Sequence, residues 1–217
     1  MPGVFSPTAN ILTKLVLYTL LAGLVTLVGG AWFFPNTTYA TRVGIVQPQP
    51  VPFSHEHHVG GLGLDCRYCH TSVEVSANAG LPPTHTCMTC HSQIWTNAEL
   101  LAPVRQSLAT GTPIRWNRVN ALPDYVFFNH SIHVAKGVAC TTCHGPVDSM
   151  PLTWKGASLR MSWCLDCHRD PAPNLRPKEA VFDTGWKRAA TTPSGEQLMA
   201  RYHIHPETLS DCSVCHR

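Results

Sequence analysis

Cys66-Arg-Tyr-Cys69-His70 is the first of five units of one pattern, followed by Cys87-Met-Thr-Cys90-His91, Cys140-Thr-Thr-Cys143-His144, Cys164-Leu-Asp-Cys167-His168 and Cys212-Ser-Val-Cys215-His216. The five units use all ten cysteines of the 217-residue chain. Structural zinc consumes cysteine pairs two at a time and has no need of a histidine directly after each, so five such pairs fit it badly. Disulfides have no use for the histidine at all. Covalent haem attachment uses every member of the unit. The two thiols form thioethers with the porphyrin vinyl groups, and the next residue turns under the ring to place an imidazole nitrogen on the iron. The sequence therefore predicts five covalently bound haem c groups, with His70, His91, His144, His168 and His216 as proximal ligands.

The rest of the composition narrows the class. Apolar residues make up 44% of the chain, too many for a disordered segment, while 16 Lys+Arg against 13 Asp+Glu leave a net charge of +3 with no basic cluster to track a nucleic-acid backbone. Nucleic acid is excluded as a partner. The length allows one domain or a small pair. Ten ionised propionates take the +3 to −7 with all irons reduced, and five ferric charges bring it back to −2, so the apoprotein charge is no guide to partners.

Residues 15–34 form a 20-residue run without a charge, which as a helix is long enough to cross a bilayer. Thr38-Tyr39-Ala40 resembles a signal-peptide cleavage site, but the apolar run exceeds a usual signal core, so an uncleaved anchor is expected. Lys14 before the run and Arg42 after it nearly cancel as topological signals. Haem attachment takes place outside the bacterial cytoplasmic membrane and sets the orientation instead. Residues 1–10 are expected to be cytoplasmic, 11–34 a transmembrane helix in contact with lipid, 35–52 a Pro-rich extended linker, and 53–217 a periplasmic haem domain. Gly23, Gly29 and Gly30 would allow a neighbouring helix to approach closely.

An internal repeat organises that domain. Phe53-Ser54-His55-Glu56-His57-His58-Val59 matches Phe128-Asn129-His130-Ser131-Ile132-His133-Val134, and each copy leads into two haem motifs, over about 53–91 and 128–168, with the fifth motif at 212–216. About 35 residues per haem predict short helices and coil packed around five porphyrins. The one clearer helix is expected from Thr96, with Glu99 completing a capping box and Pro103 kinking it, to a stop near Gly111. The paired histidines His55, His58, His130 and His133 are candidate distal ligands, the two of each pair facing different haems; His57 is expected to be solvated. For the fifth iron the candidates are Met161, whose thioether raises a haem potential, and His85, His203 and His205.

Four stretches together resemble the pentahaem cytochrome subunit of alternative complex III. They are Phe53-Ser54-His55 through Cys66-Arg67-Tyr68-Cys69-His70, Pro82-Pro83-Thr84 before Cys87-Met88, Pro113-Ile114-Arg115-Trp116, and Met161-Ser162-Trp163-Cys164-Leu165-Asp166-Cys167-His168-Arg169. The resemblance covers essentially residues 53–217 and favours Met161 as the fifth distal ligand, while His85 departs from the family pattern. It implies electron transfer in a quinol-oxidising membrane complex, with no catalytic site in this chain. The implied partners are an iron–sulfur subunit related to molybdopterin oxidoreductases, polytopic quinol-binding subunits and a monohaem cytochrome c. Two other classes remain to be weighed. A multihaem reductase would keep one iron open, often with an altered motif, and no motif here is altered. A tetrahaem-type quinol dehydrogenase also carries one N-terminal span but lacks this repeat layout.

Overall fold

The computed structural model describes residues 6–217, so half of the expected cytoplasmic N-terminus, residues 1–5 of 1–10, lies outside the described residues. The chain divides into two units, Met1–Arg42 and Val43–Arg217. In the first, helix α1 (Pro7–Phe33) runs for 27 residues, about 40 Å. Ser6 caps its N-terminus through Oγ, and proline occupies the first turn, where a missing N–H costs nothing. The helix begins earlier than the charge-free run because Lys14 is tolerated within it. Thr13, Thr19 and Thr26 each donate their hydroxyl to the carbonyl four residues back, at 2.8 Å, so these three hydroxyls are satisfied within the helix in an apolar surrounding. Residues 8–36 are long and apolar enough to cross a membrane, and none of that surface is covered within the chain. A short helical turn, α2 (Thr38–Thr41), follows, so the predicted linker is helical at its start and extended only from Val43.

The second unit is built of short helices and coil, with no strand among the described residues and three isolated bridges: Val43 with Lys155, Val46 with Trp154, and Val138 with Leu175. Its helices are α3 (Cys66–Cys69), α4 (Thr84–His91), α5 (Ala102–Thr110), α6 (His130–Ala135), α7 (Cys140–His144), α8 (Met161–Arg169), α9 (Gly195–Arg201), α10 (Pro206–Leu209) and α11 (Cys212–Cys215). Each Cys-x-x-Cys segment is helical, which places its two thiols on successive turns of one face.

The predicted helix from Thr96 is corrected. Residues Glu99–Leu101 form a 3-10 turn and α5 starts only at Ala102, with Pro103 in its first turn instead of at a kink. Proline would clash with the carbonyl four residues before it, so the helix starts there rather than running through. Gly111 ends it in the left-handed conformation, as expected.

The protein core of this unit is small. Leu175, Leu198 and Tyr202 pack with Val138, Met199 and Ile204 around α9, whereas Tyr68, Leu81, Trp95, Tyr125 and Phe127 are exposed. Apolar side chains in those positions would be left in water unless something flat and apolar covered them.

Candidate haem sites

The repeat is reproduced in three dimensions. Phe53 stacks on His58 at 4.4 Å and 22° and meets His55 edge-on at 4.9 Å and 86°. In the second copy Phe128 stacks on His133 at 4.6 Å and 27° and meets His130 edge-on at 4.7 Å and 89°. One phenyl ring therefore orients two imidazoles at right angles, which turns the two members of each pair in different directions.

Three of these four histidines face a motif histidine. His58 and His91 have ring centres 6.2 Å apart, His130 and His144 6.3 Å, and His133 and His168 6.1 Å. Two imidazoles bound to opposite faces of one metal, each nitrogen about 2 Å from it, hold their centres roughly 6 Å apart. His55 has His70 as its strongest electrostatic neighbour. The second histidine of each repeat thus faces the second motif and His130 faces the first motif of its repeat, while His55 lies near the corresponding His70.

Nine histidines are also fixed at Nδ1. Seven use a backbone carbonyl: His58 with Ser54 (2.8 Å), His133 with Asn129 (2.7 Å), His130 with Ala77 (2.8 Å), His70 with Gly80 (2.7 Å), His91 with Ile94 (3.3 Å), His168 with Leu209 (3.0 Å) and His216 with Tyr125 (3.2 Å). Two use a side chain: His55 meets Thr153 Oγ1 at 3.1 Å, and His144 meets the amide of Asn120 at 3.0 Å. An imidazole that donates from Nδ1 keeps the Nε2 lone pair for a metal, the arrangement usual for ligating histidines. Burial lowers the pKa of His55 to about 4, with smaller contributions from His70, His58 and His144, and lowers that of His144 to about 4, helped by His130 and His70. Burial likewise holds His58 and His133 below the ordinary value. All four rings are thereby kept neutral, the ligating form.

The remaining histidines differ. His57 is exposed, as expected, yet its ring stacks on Trp95 at 6.0 Å. His85, on α4, and His203 are exposed, and His205 is exposed beside Glu207, with Nδ1 3.4 Å from the carboxylate. Met161 opens α8 and is 63% exposed. It lies one helical turn before Cys164, whose thiol is pushed up first by burial and then by Cys215 nearby. His216 itself has the ring of Tyr125 beside it, 5.9 Å away.

None of the ten cysteines is in a disulfide, and they lie close to one another between motifs. Cys69, raised first by burial, feels Cys87 next. Tyr68 and Thr89 join the same two motifs by a 2.9 Å hydrogen bond between their hydroxyls. Cys66 and Cys140 are neighbours, each the largest influence on the other's pKa, lowering that of Cys66 to about 7 and raising that of Cys140. Cys143, pushed up to about 12 mainly by burial, is next to Cys167 and Cys164, and Cys164 is next to Cys215. These neighbour relations link the second motif to the first, the first to the third, the third to the fourth and the fourth to the fifth. Gly156 packs on the backbone of His144 so closely that a Cβ would collide with it, which makes the turn after α7 specific to glycine at that contact. A cavity of about 400 Å³ is lined by Thr142, Trp163 and Cys167, and one of about 260 Å³ by His130, Phe128 and Arg118. Paired, oriented imidazoles beside thiol pairs and uncovered apolar surface fit c-type haem.

The sequence pointed to the histidines but not to what holds them. Ser54, Asn129 and Ile94 lie within one turn of the histidines they hold, whereas Thr153, Asn120, Ala77, Gly80, Leu209 and Tyr125 lie 10 to 98 residues away and carry no local signal.

No family model matches the chain. Over 121 residues it is 36% identical to the multihaem cytochrome c subunit of the menaquinone reductase of Nitratidesulfovibrio vulgaris. The alignment takes in 55% of this chain and 54% of that protein, so the chain spans about half the length of the curated relative it matches. The likeness is to a multihaem cytochrome c subunit of a quinone-linked reductase, which is coarser than the alternative complex III expected above.

Proposed function

We propose that the chain is a membrane-anchored pentahaem c-type cytochrome that relays electrons within a quinone-linked membrane complex of the alternative complex III kind. The observation that carries this reading is the set of facing histidines, three of them 6.1 to 6.3 Å apart, each fixed at Nδ1 and aligned with a Cys-x-x-Cys pair. His70 with His55, His91 with His58, His144 with His130 and His168 with His133 are the four ligand pairs. His216 takes Met161, favoured by the closeness of Cys164 to Cys215, with His85, His203 and His205 as the competing donors.

The bound haems supply one-electron centres whose potentials follow axial ligand, hydrogen bonding and burial. The polypeptide's part is to hold neutral imidazoles in fixed orientation and to keep neighbouring motifs adjacent. The series of neighbouring motifs leaves the second and the fifth at its ends, so electrons enter and leave the chain beside Cys87–His91 and Cys212–His216. Residues 11–34 are the anchor, 35–52 the linker and 53–217 the haem domain, with the N-terminus cytoplasmic and the haem domain periplasmic. The partners are those of the resembled complex: an iron–sulfur subunit, polytopic quinone-binding subunits and a monohaem cytochrome c.

The test is a count. The pyridine haemochrome of the purified protein should give five haems per chain, low-temperature EPR should show five low-spin ferric irons, and carbon monoxide or cyanide should leave the Soret band nearly unchanged. A stoichiometric high-spin component that binds these ligands would replace the relay by a reductase. The relative favours a second reading in one respect, direction, since its name describes reduction of menaquinone. Quinol-driven reduction of the haems in the purified complex, against quinone reduction from a reduced donor, separates the two.

A further inference from the structure

Seven of the nine anchored histidines depend on backbone carbonyls, which no substitution alters directly, and two depend on side chains. Those two, His55 and His144, go with the first and third motifs, whose thiols Cys66 and Cys140 are neighbours. Their acceptors are held by one segment of chain. Val46 bridges Trp154, Val43 bridges Lys155, and Gly44 N–H donates to the Lys155 carbonyl at 3.0 Å, directly beside Thr153. Gln49 exchanges hydrogen bonds with the backbone of Asn117 at 2.8 and 2.9 Å, and the Asn117 side chain donates to the Pro48 carbonyl at 2.6 Å, three residues before Asn120. The strap 43–49 therefore grips both of the segments that carry the side-chain acceptors.

The Asn120 amide has a telling orientation. Its nitrogen faces His144 Nδ1, and its oxygen is buried without a hydrogen-bond partner. A histidine that binds iron through Nε2 carries its proton on Nδ1 and needs an acceptor there. Half a turn of the amide supplies that acceptor and relieves the orphaned oxygen. The stronger the acceptor at Nδ1, the more basic the imidazole and the more it favours ferric iron.

We propose that Asn120 and Thr153 are the positioning residues of the haems of the third and first motifs, accepting from His144 and His55 through Oδ1 and Oγ1, and that the strap 43–49 holds both so that their potentials are set by side chains. This rests on the relay reading above. The experiment is potentiometric titration of the purified complex followed by EPR, on wild type and on the variants N120L, N120D, T153V, T153S and Q49A. N120L should raise the potential of one low-spin signal and N120D should lower that same signal. T153V should raise a second signal, T153S should restore it, and Q49A should shift both by less. The three other signals should stay in place, with five haems in every variant. Unchanged potentials and g-values in N120D and T153V at full haem content would overturn the inference and leave the relay standing. A wild-type count other than five would instead remove the relay reading itself. Should N120L fail to assemble, N120D, nearly isosteric with asparagine, carries the test.

Discussion

The two repeats present the same ligand geometry on different backbones. From His55 to Cys66 the chain takes one residue more than from His130 to Cys140, and in the first repeat that residue is absorbed in a π-helical turn, Glu56–Gly61, where the second has the α-helix α6. Leu62 N–H reaches the His57 carbonyl at 3.0 Å, the five-residue step of a widened turn. Both copies are reset by a left-handed glycine three residues before the first cysteine, Gly63 at φ 68° and Gly137 at φ 80°. An inserted residue is thus tolerated so long as it falls between the Phe-x-His-x-x-His turn and that glycine. The anchoring is exchanged as well: the first repeat fixes His55 on a side chain and His70 on a carbonyl, and the second does the reverse with His130 and His144.

The largest effect should come from removing one distal imidazole from each repeat. His58→Ala and His133→Ala should each convert one of five low-spin irons to high spin, seen as a single high-spin ferric signal in EPR, with that iron newly able to bind carbon monoxide. Equivalence of the repeats requires the affected haem to be the second of each pair, on His91 and on His168. An affected first haem would break the correspondence between the copies.

Met161 lies within the second copy, three residues before Cys164, where the first copy has Thr84 before Cys87. Met161→Ala should leave one high-spin iron, and Met161→His should keep it low-spin while lowering the highest of the five potentials, since a thioether favours ferrous iron more than imidazole does. Five intact low-spin signals in the alanine variant would pass the role to His85, His203 or His205.

The backbone difference gives a smaller, asymmetric effect. Gly60 in the first repeat lies against the Asp148 carbonyl, so Gly60→Ala forces the π-turn off the 147–149 turn and should cost about 1–3 kcal/mol. The corresponding Ala135 already carries its methyl, and Ala135→Gly should cost up to about 1 kcal/mol at the end of α6. Urea or thermal unfolding of the two variants measures the contrast, and equal losses would mean that the π-turn is not specifically seated.

Much of this was legible because it depends on spacing. The five motifs, the Phe-x-His-x-x-His pairs and the long apolar run are local patterns, and each could be read without a fold. The start of α5 was misplaced because the capping signal at Thr96 and Glu99 competes with Pro103, and the sterics of proline decide the outcome. The one-residue offset between repeats was countable, yet whether it became a loop or a π-turn depended on Gly60 meeting Asp148, a contact between residues 88 apart in sequence. Asn120, Thr153 and the spatial order of the motifs are long-range facts of the same kind.

The smallest effect should be common to both copies. Phe53 and Phe128 each stack on one imidazole and meet the other edge-on, with nearly the same distances and angles. Such aromatic pairs are worth about 0.5–1.5 kcal/mol beyond the area they bury. Leucine keeps most of the apolar volume and removes the ring, so Phe53→Leu and Phe128→Leu should each lose stability within about that range. All five irons should stay low-spin, because the Nδ1 hydrogen bonds still hold the rings. What should change is orientation: the g-values of two low-spin signals should move together in each variant, since one phenyl touches two ligands. Movement of a single signal would mean that the ring supports only the stacked histidine, His58 or His133, and that its edge contact with His55 or His130 is incidental.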